Sequence, residues 1–181
     1  ATTADIRDQD FVSGSYKFSI PSNQTGSIIN EGQIIARDHG LVALVGANVT
    51  NKGLIKANLG KVVLASGEAF TMDFNGDQLI NFAITKETSQ RGVDKDGKQL
   101  ADGVANTGAI VANGGKVLVS ARAAKGVLDN VINMGGVVEA KSVAQVNGEI
   151  ILSGDPNGGV FKNCGEINCK GAKTRQKKGK K

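Results

Sequence analysis

A five-residue pattern, Gly-x-(Ile/Val)-x-(Ala/Cys), occurs five times along the chain, at Gly32-Ile34-Ala36, Gly53-Ile55-Ala57, Gly108-Ile110-Ala112, Gly136-Val138-Ala140 and Gly165-Ile167-Cys169. Each copy alternates with period two, which puts its apolar side chains on one face of a strand. One such strand cannot bury that face alone, so the copies are expected to stack. An apolar residue and then an Asn precede every copy, at Ile28 and Asn30, Val49 and Asn51, Val104 and Asn106, Val131 and Asn133, and Phe161 and Asn163. A second alternating pattern follows four of them, at Gly40-Val42-Leu44, Gly60-Val62-Leu64, Gly115-Val117-Val119 and Gly148-Ile150-Leu152. One unit thus holds about three short strands with turns between them, which predicts an all-β fold, a right-handed parallel β-helix. From Gly32 to Gly53 the step is 21 residues, suited to one such unit; the later steps of 55, 28 and 29 residues are read as units with insertions.

Composition fits that architecture. The 25 Gly are too many for a helical domain and are expected at turns, where a positive φ costs Gly nothing. Two Pro suit strands that must donate their N–H groups to neighbours. Aromatics are 4% and Trp is absent, in keeping with a narrow interior filled by Val, Ile, Leu and Ala. One domain is expected over residues 1–172, followed by a basic tail over 173–181. No window of about eighteen apolar residues predicts a membrane helix. The chain opens on Ala1-Thr2-Thr3-Ala4 with neither Met nor a basic and apolar leader, and reads as an interior piece of something longer.

The largest insertion is placed at about 70–103. There Phe70-Thr71-Met72-Asp73-Phe74 and Leu79-Ile80-Asn81-Phe82-Ala83-Ile84 flank Asn75-Gly76. Asn-Gly between alternating segments predicts a type I′ turn, hence an antiparallel hairpin leaving the stack. Thr85 to Asp102 is polar and reads as a loop, with room for one helical turn. Over about 120–130, Ser120 as a cap with Ala121, Ala124 and Leu128 at helical spacing predicts a short flanking helix, against which Gly126 counts. Lys141 to Asn147 and Gly154 to Gly159 read as loops.

The residues expected to carry the repeat are Asn30, Gly32, Ile34, Asn51, Gly53, Ile55, Asn106, Gly108, Ile110, Gly136, Val138, Asn163, Gly165 and Ile167. Their role is structural. Stacked Asn side chains form amide ladders in layered β architectures, so Asn30 and Asn51 are expected to be neighbours in space. Catalytic, cofactor and metal sites are not expected. The one His, His39, lies in a turn, Arg37-Asp38-His39-Gly40, and a Cys/His pair would require it. Cys164 and Cys169, five apart on one predicted strand, are about 16 Å apart at about 3.3 Å per residue, beyond the roughly 7 Å a disulfide spans. Cys169 takes the Ala position and is expected to be a small buried residue, with Cys164 at a turn. Asp73-x-Asn75-x-Asp77 and Asp94-x-Asp96-Gly97 have the spacing of half a calcium loop but lack the Glu that completes one.

Several runs resemble the filamentous haemagglutinin type of secreted exoprotein. They are Gly26-Ser27-Ile28-Ile29-Asn30-Glu31-Gly32, Gly40-Leu41-Val42-Ala43-Leu44-Val45, Asn51-Lys52-Gly53-Leu54-Ile55-Lys56-Ala57, Phe74-Asn75-Gly76-Asp77, and Gly136-Val137-Val138-Glu139-Ala140-Lys141-Ser142. Asp5-Ile6-Arg7-Asp8-Gln9-Asp10-Phe11 with Gly14-Ser15-Tyr16-Lys17-Phe18 is similar to the later half of that family's amino-terminal secretion domain. The similarity spans nearly all of residues 5 to 172. It implies a β-helical segment of a bacterial surface adhesin, exported by two-partner secretion, that is secreted or held at the cell surface. Its implied partners are an outer-membrane transporter for the full-length parent and a host cell surface receptor or glycan. Two departures stand out: the Asn-Pro-Asn-Gly motif of the secretion domain is missing with its amino-terminal cap, so recognition by the transporter is not expected of this piece alone, and the carboxyl end becomes basic.

That end changes the meaning of the formal charge of +5. Seven of the 22 basic groups lie in residues 170–181 with none of the 17 acids, so the rest carries 15 basic against 17 acidic groups. The tail reads first as a disordered end without a partner, since no aromatic residue interleaves with its charges; the alternative is weak polyanion binding, whether of lipopolysaccharide phosphates, heparin-like glycans or nucleic acid. A competing reading of the whole is a polysaccharide-binding or polysaccharide-cleaving β-helix protein. Cleavage requires paired acids or a metal-binding Asp beside a basic residue, and the outward positions Gln33, Ile35, Leu54, Lys56, Ala109, Val111, Val137 and Glu139 show no acid pair. An ice-binding surface would require ranks of outward Thr, which the strands lack. Open strand edges at both ends predict aggregation or end-to-end contact.

Overall fold

A computed structural model describes residues 1–21, 25–73, 81–143, 146–154 and 160–170. The protein is all-β with three parallel sheets, and the chain enters them in rotation. The first sheet holds Ser27–Asn30, Asn48–Asn51, Asp102–Asn106, Asn130–Met134 and Phe161–Asn163, side by side in that order. The second holds Gln33–Ile35, Leu54–Lys56, Ala109–Val111, Val137–Glu139 and Glu166–Asn168. The third holds Leu41–Gly46, Lys61–Ser66, Lys116–Ala121 and Glu149–Ser153. Equivalent residues of successive copies pair directly. Ile34, Ile55, Ile110, Val138 and Ile167 form one column in the second sheet, and Val42, Val62, Val117 and Ile150 form another in the third.

The alternation explains the interior. Val49, Ile55, Val62, Leu64, Val104, Ile110, Val117, Val119, Ile132 and Val138 are fully buried in one core to which all three sheets contribute. Each such side chain contributes about 1.5–3 kcal/mol. In the fourth copy the first sheet runs one residue out of the expected alignment. Ile132 pairs with Val104 and Met134 with Asn106, so Val131 and Asn133 do not occupy the repeat positions the sequence suggested. The larger apolar side chains at 132 and 134 are the pair that fills the core, both with no exposure.

The third sheet is apolar on both faces because a second core lies outside it. Ala4–Ile6, Tyr16–Pro21, Ala69–Asp73 and Asn81–Lys86 form an antiparallel four-stranded sheet in that order. It packs with Val45, Val63 and Ala65 and buries Phe70, Met72 and Ile84. Phe18 stacks on Phe70 with ring centroids 4.5 Å apart. The expected hairpin arms are therefore present, pairing Phe70 with Ile84 and Met72 with Phe82, but they lie against the third sheet instead of leaving it. The Asn75-Gly76 turn lies outside the described residues, as do residues 155–159 of the expected 154–159 loop, residues 144–145, and the 173–181 tail.

The short flanking helix expected at 120–130 is not there. Ser120 and Ala121 extend a strand and pair with Ala65 and Ser66. Backbone groups that a helix would use internally are taken across the sheet: Arg122 N–H donates to Ser66 O, Ala124 N–H to Thr88 O, and Thr88 N–H to Arg122 O, at 3.0, 2.9 and 2.9 Å. Gly126 then turns the chain at φ 80°. The helix that does form among the described residues is Asp8–Val12, with Asp8 and Asp10 in its first turn, where acids suit the helix dipole. No helix among the described residues is long and apolar enough to cross a membrane.

Candidate functional site

The repeat residues form two structural columns. In the first, the Asn30 amide donates to Asn51 Oδ1 at 2.8 Å and the Asn51 amide to Asn106 Oδ1 at 2.7 Å. Asn51 and Asn106 are fully buried, where an unpaired amide would be costly and a laddered one is satisfied. Met134 stops the ladder, and the Asn106 amide turns to the Val137 carbonyl at 3.2 Å. Asn163 therefore stands apart from it, exposed, its Oδ1 accepting the Gly165 N–H at 3.2 Å.

In the second column, Gly32, Gly53, Gly108, Gly136 and Gly165 follow one another. A Cβ on Gly53 would overlap the Gly32 carbonyl oxygen, and Gly108, Gly136 and Gly165 each meet the carbonyl of the glycine before. None of them has a positive φ; their requirement is close approach of backbone to backbone. The left-handed positions are instead His39 at φ 63°, Leu59 at 52° and Gly114 at 68°, each just before the glycine that opens a third-sheet strand. The His39 N–H donates to Asn58 O and the Leu59 N–H to Asn113 O, at 3.0 and 2.8 Å, so the row-to-row bonding that carries the turn also holds its conformation. His39 is exposed there.

Sequence reasoning missed a buried polar seam that fixes the 85–103 excursion. Asn48, with no exposure, accepts the Gly92 N–H and donates to the Asp102 carbonyl, both at 2.5 Å. Ser66 and Thr88 both donate to the Ala47 carbonyl, at 2.7 and 3.3 Å. The Glu68 carboxylate, with side-chain exposure of 1%, takes Lys86 Nζ at 2.6 Å, the Ser89 N–H at 2.7 Å and the Ser89 hydroxyl. Burial pushes the Glu68 carboxyl up, but the bonds from Lys86 and Ser89 outweigh it and hold it below its ordinary value. Arg91 closes the seam on Val127 O and Asp129, both at 2.6 Å. A Glu and a Lys eighteen residues apart were the only signal in the sequence, and nothing local links them.

Excursions thus cover two of the three parallel sheets from outside. The antiparallel sheet lies on the third, and the seam accompanies burial of Asn48, Thr50 and Ala105 in the first. Among the described residues nothing covers the second sheet. Its outward residues are Gln33, Leu54, Ala109, Val137 and Glu166 in one column and Ile35, Lys56, Val111, Glu139 and Asn168 in the other. Ile35 is 65% exposed and Val137 39%. Glu139 is bound by Lys141 Nζ at 2.5 Å and the Asn113 amide at 2.9 Å, which hold its carboxyl low.

Cys164 and Cys169 are free and exposed. Cys169 follows Asn168 at the Ala position of the motif, but among the described residues no further strand covers it and it is exposed, so the expected burial fails. Asp94 Oδ1 accepts the Asp96 and Lys98 N–H groups, both at 2.9 Å, which accounts for its spacing as a turn. Asp73-x-Asn75-x-Asp77 lies largely outside the described residues. Among the described residues no three His, Cys, Asp or Glu side chains are close enough together to hold a metal ion. Fold and columns define the class as an all-β protein of in-register parallel sheets, one face of which is uncovered among the described residues. The chain matches no model of a known protein family and no curated protein sequence.

Proposed function

We propose that the three parallel sheets wind as a right-handed β-helix and that the chain is a shaft segment of a secreted bacterial surface adhesin of the filamentous haemagglutinin type, acting in attachment. The observation that carries this reading is the column Ile34, Ile55, Ile110, Val138 and Ile167. Ile55 and Val138 lie in runs that resemble the family, and all five residues stack at equivalent positions, as a shaft requires. In this reading the parent is exported by two-partner secretion through an outer-membrane transporter and meets a receptor or glycan on a host surface. Each copy laid on the last buries apolar area, so folding outside the cell favours export without a nucleotide.

The test is attachment itself. Fluorescently labelled chain should bind saturably to epithelial cells or erythrocytes, and unlabelled chain should compete it off. Loss of that binding after enzymatic removal of surface glycans would name a glycan receptor. Absence of saturable binding to either cell type would sink the attachment reading. Release of unsaturated products from pectin or chondroitin would replace it with polysaccharide cleavage.

A further inference from the structure

The second sheet, uncovered among the described residues, is self-complementary. Ala109–Val111 is the middle of its five strands, with Leu54–Lys56 on one side and Val137–Glu139 on the other. Ile55, Ile110 and Val138 are buried in the core, Ile34 packs against it and Ile167 pairs with Val138 in the same column, so the positions on either side of each point out. A two-fold axis laid along Ala109–Val111 brings the second strand of one copy over the fourth of another. Ala109 then meets Ala109, Val111 meets Val111, Leu54 meets Val137, Gln33 meets Glu166, and Lys56 meets Glu139 twice. Lys56 has no carboxylate partner among the described residues. Glu139 spends one lone pair of each oxygen on Lys141 and Asn113 and keeps the others, with its side chain 22% exposed.

We propose that this face is where two copies of the chain meet, antiparallel about that axis, with Lys56 of each copy on Glu139 of the other. Two apolar centres on the axis flanked by opposite charges are the arrangement of an isologous contact. Its size sets its strength. Four strand spacings by three residues make a patch of about 19 Å by about 10 Å, well below the roughly 800 Å² per partner of a stable interface. The pair is therefore weak, forms at high concentration and responds to salt. This inference is independent of attachment: the contact stands or falls whatever the chain binds on a cell.

Sedimentation velocity at concentrations up to about 1 mM should show a reversible dimer that weakens as salt rises. Lys56→Glu alone and Glu139→Lys alone each place like charges together twice and should weaken association about tenfold. Mixing the two variants should restore it, because every facing pair is then opposite in charge. A second measurement does not depend on those variants folding well. In a Cys164→Ser, Cys169→Ser background, Val111→Cys should be joined to its own copy by a short bis-maleimide, which spans the roughly 10 Å between facing sheets that a disulfide cannot, and Ile35→Cys, which faces Asn168, should not. A chain that stays monomeric throughout would overturn the proposal. So would association indifferent to both charge changes, or cross-linking through position 35 in preference to 111.

Discussion

Gly32 and Gly53 occupy the same place in the motif and differ in what lies beside them. The row before Gly53 brings the Gly32 carbonyl oxygen to where a Cβ would sit, whereas a Cβ on Gly32 meets nothing within 4 Å. Gly53→Ala must push two rows apart and is expected to cost about 3 kcal/mol or more. Gly32→Ala should stay within about 0.5 kcal/mol of neutral. Urea denaturation followed by far-ultraviolet circular dichroism separates the two, and equal losses would contradict the close-approach account. Asn51 and Asn163 differ in the same way: one amide is inside a ladder with neighbours on both sides, the other has solvent.

At the scale of elements, Glu68 ties the hairpin strand at Lys86 and the excursion at Ser89 to the end of a parallel strand. Its carboxyl titrates lower when folded than its ordinary value of 4.5. The stability it supplies is therefore complete above about pH 4.5 and is lost as the pH falls through the lower folded value. Glu68→Gln keeps the shape but removes this dependence. It should destabilise the protein by about 1–3 kcal/mol at neutral pH, with the deficit shrinking below about pH 4.5. The single Tyr, Tyr16, sits beside Met72 in the antiparallel sheet, so its near-ultraviolet signal reports the undocking. A pH-independent deficit would remove the ion pair from the explanation. Such elements were unevenly legible in the sequence. Period-two alternation is a property of a single strand, so the repeat strands and hairpin arms could be read locally. Ser120 to Leu128 misled because helical spacing is also local, while the N–H acceptors that claim Arg122 and Ala124 come from residues 66 and 88. Leu41 to Val45 showed apolar residues on both faces, a sign of a second packing layer that period-two reading passes over. The bare sheet was not legible either, since which outer face is covered depends on where excursions return.

At the scale of the molecule the described residues form two cores, one shared by the three parallel sheets and one between the third sheet and the antiparallel sheet. Phe70, 2% exposed, stacked on Phe18 and tilted against Phe82, anchors the second. Phe70→Ala should cost that core about 3–5 kcal/mol. The expected result is a thermal melt in which the Tyr16 signal is lost before the far-ultraviolet strand signal. A single coincident transition would mean that the cores unfold as one.

From Asn51 to Asn106 the chain spends 55 residues, yet the two amides touch. Everything between closes back on its starting point, so sequence spent sideways adds nothing to reach along the axis. A gene could lengthen, shorten or exchange what is displayed at that junction while the spacing from one row of the parallel sheets to the next stayed the same.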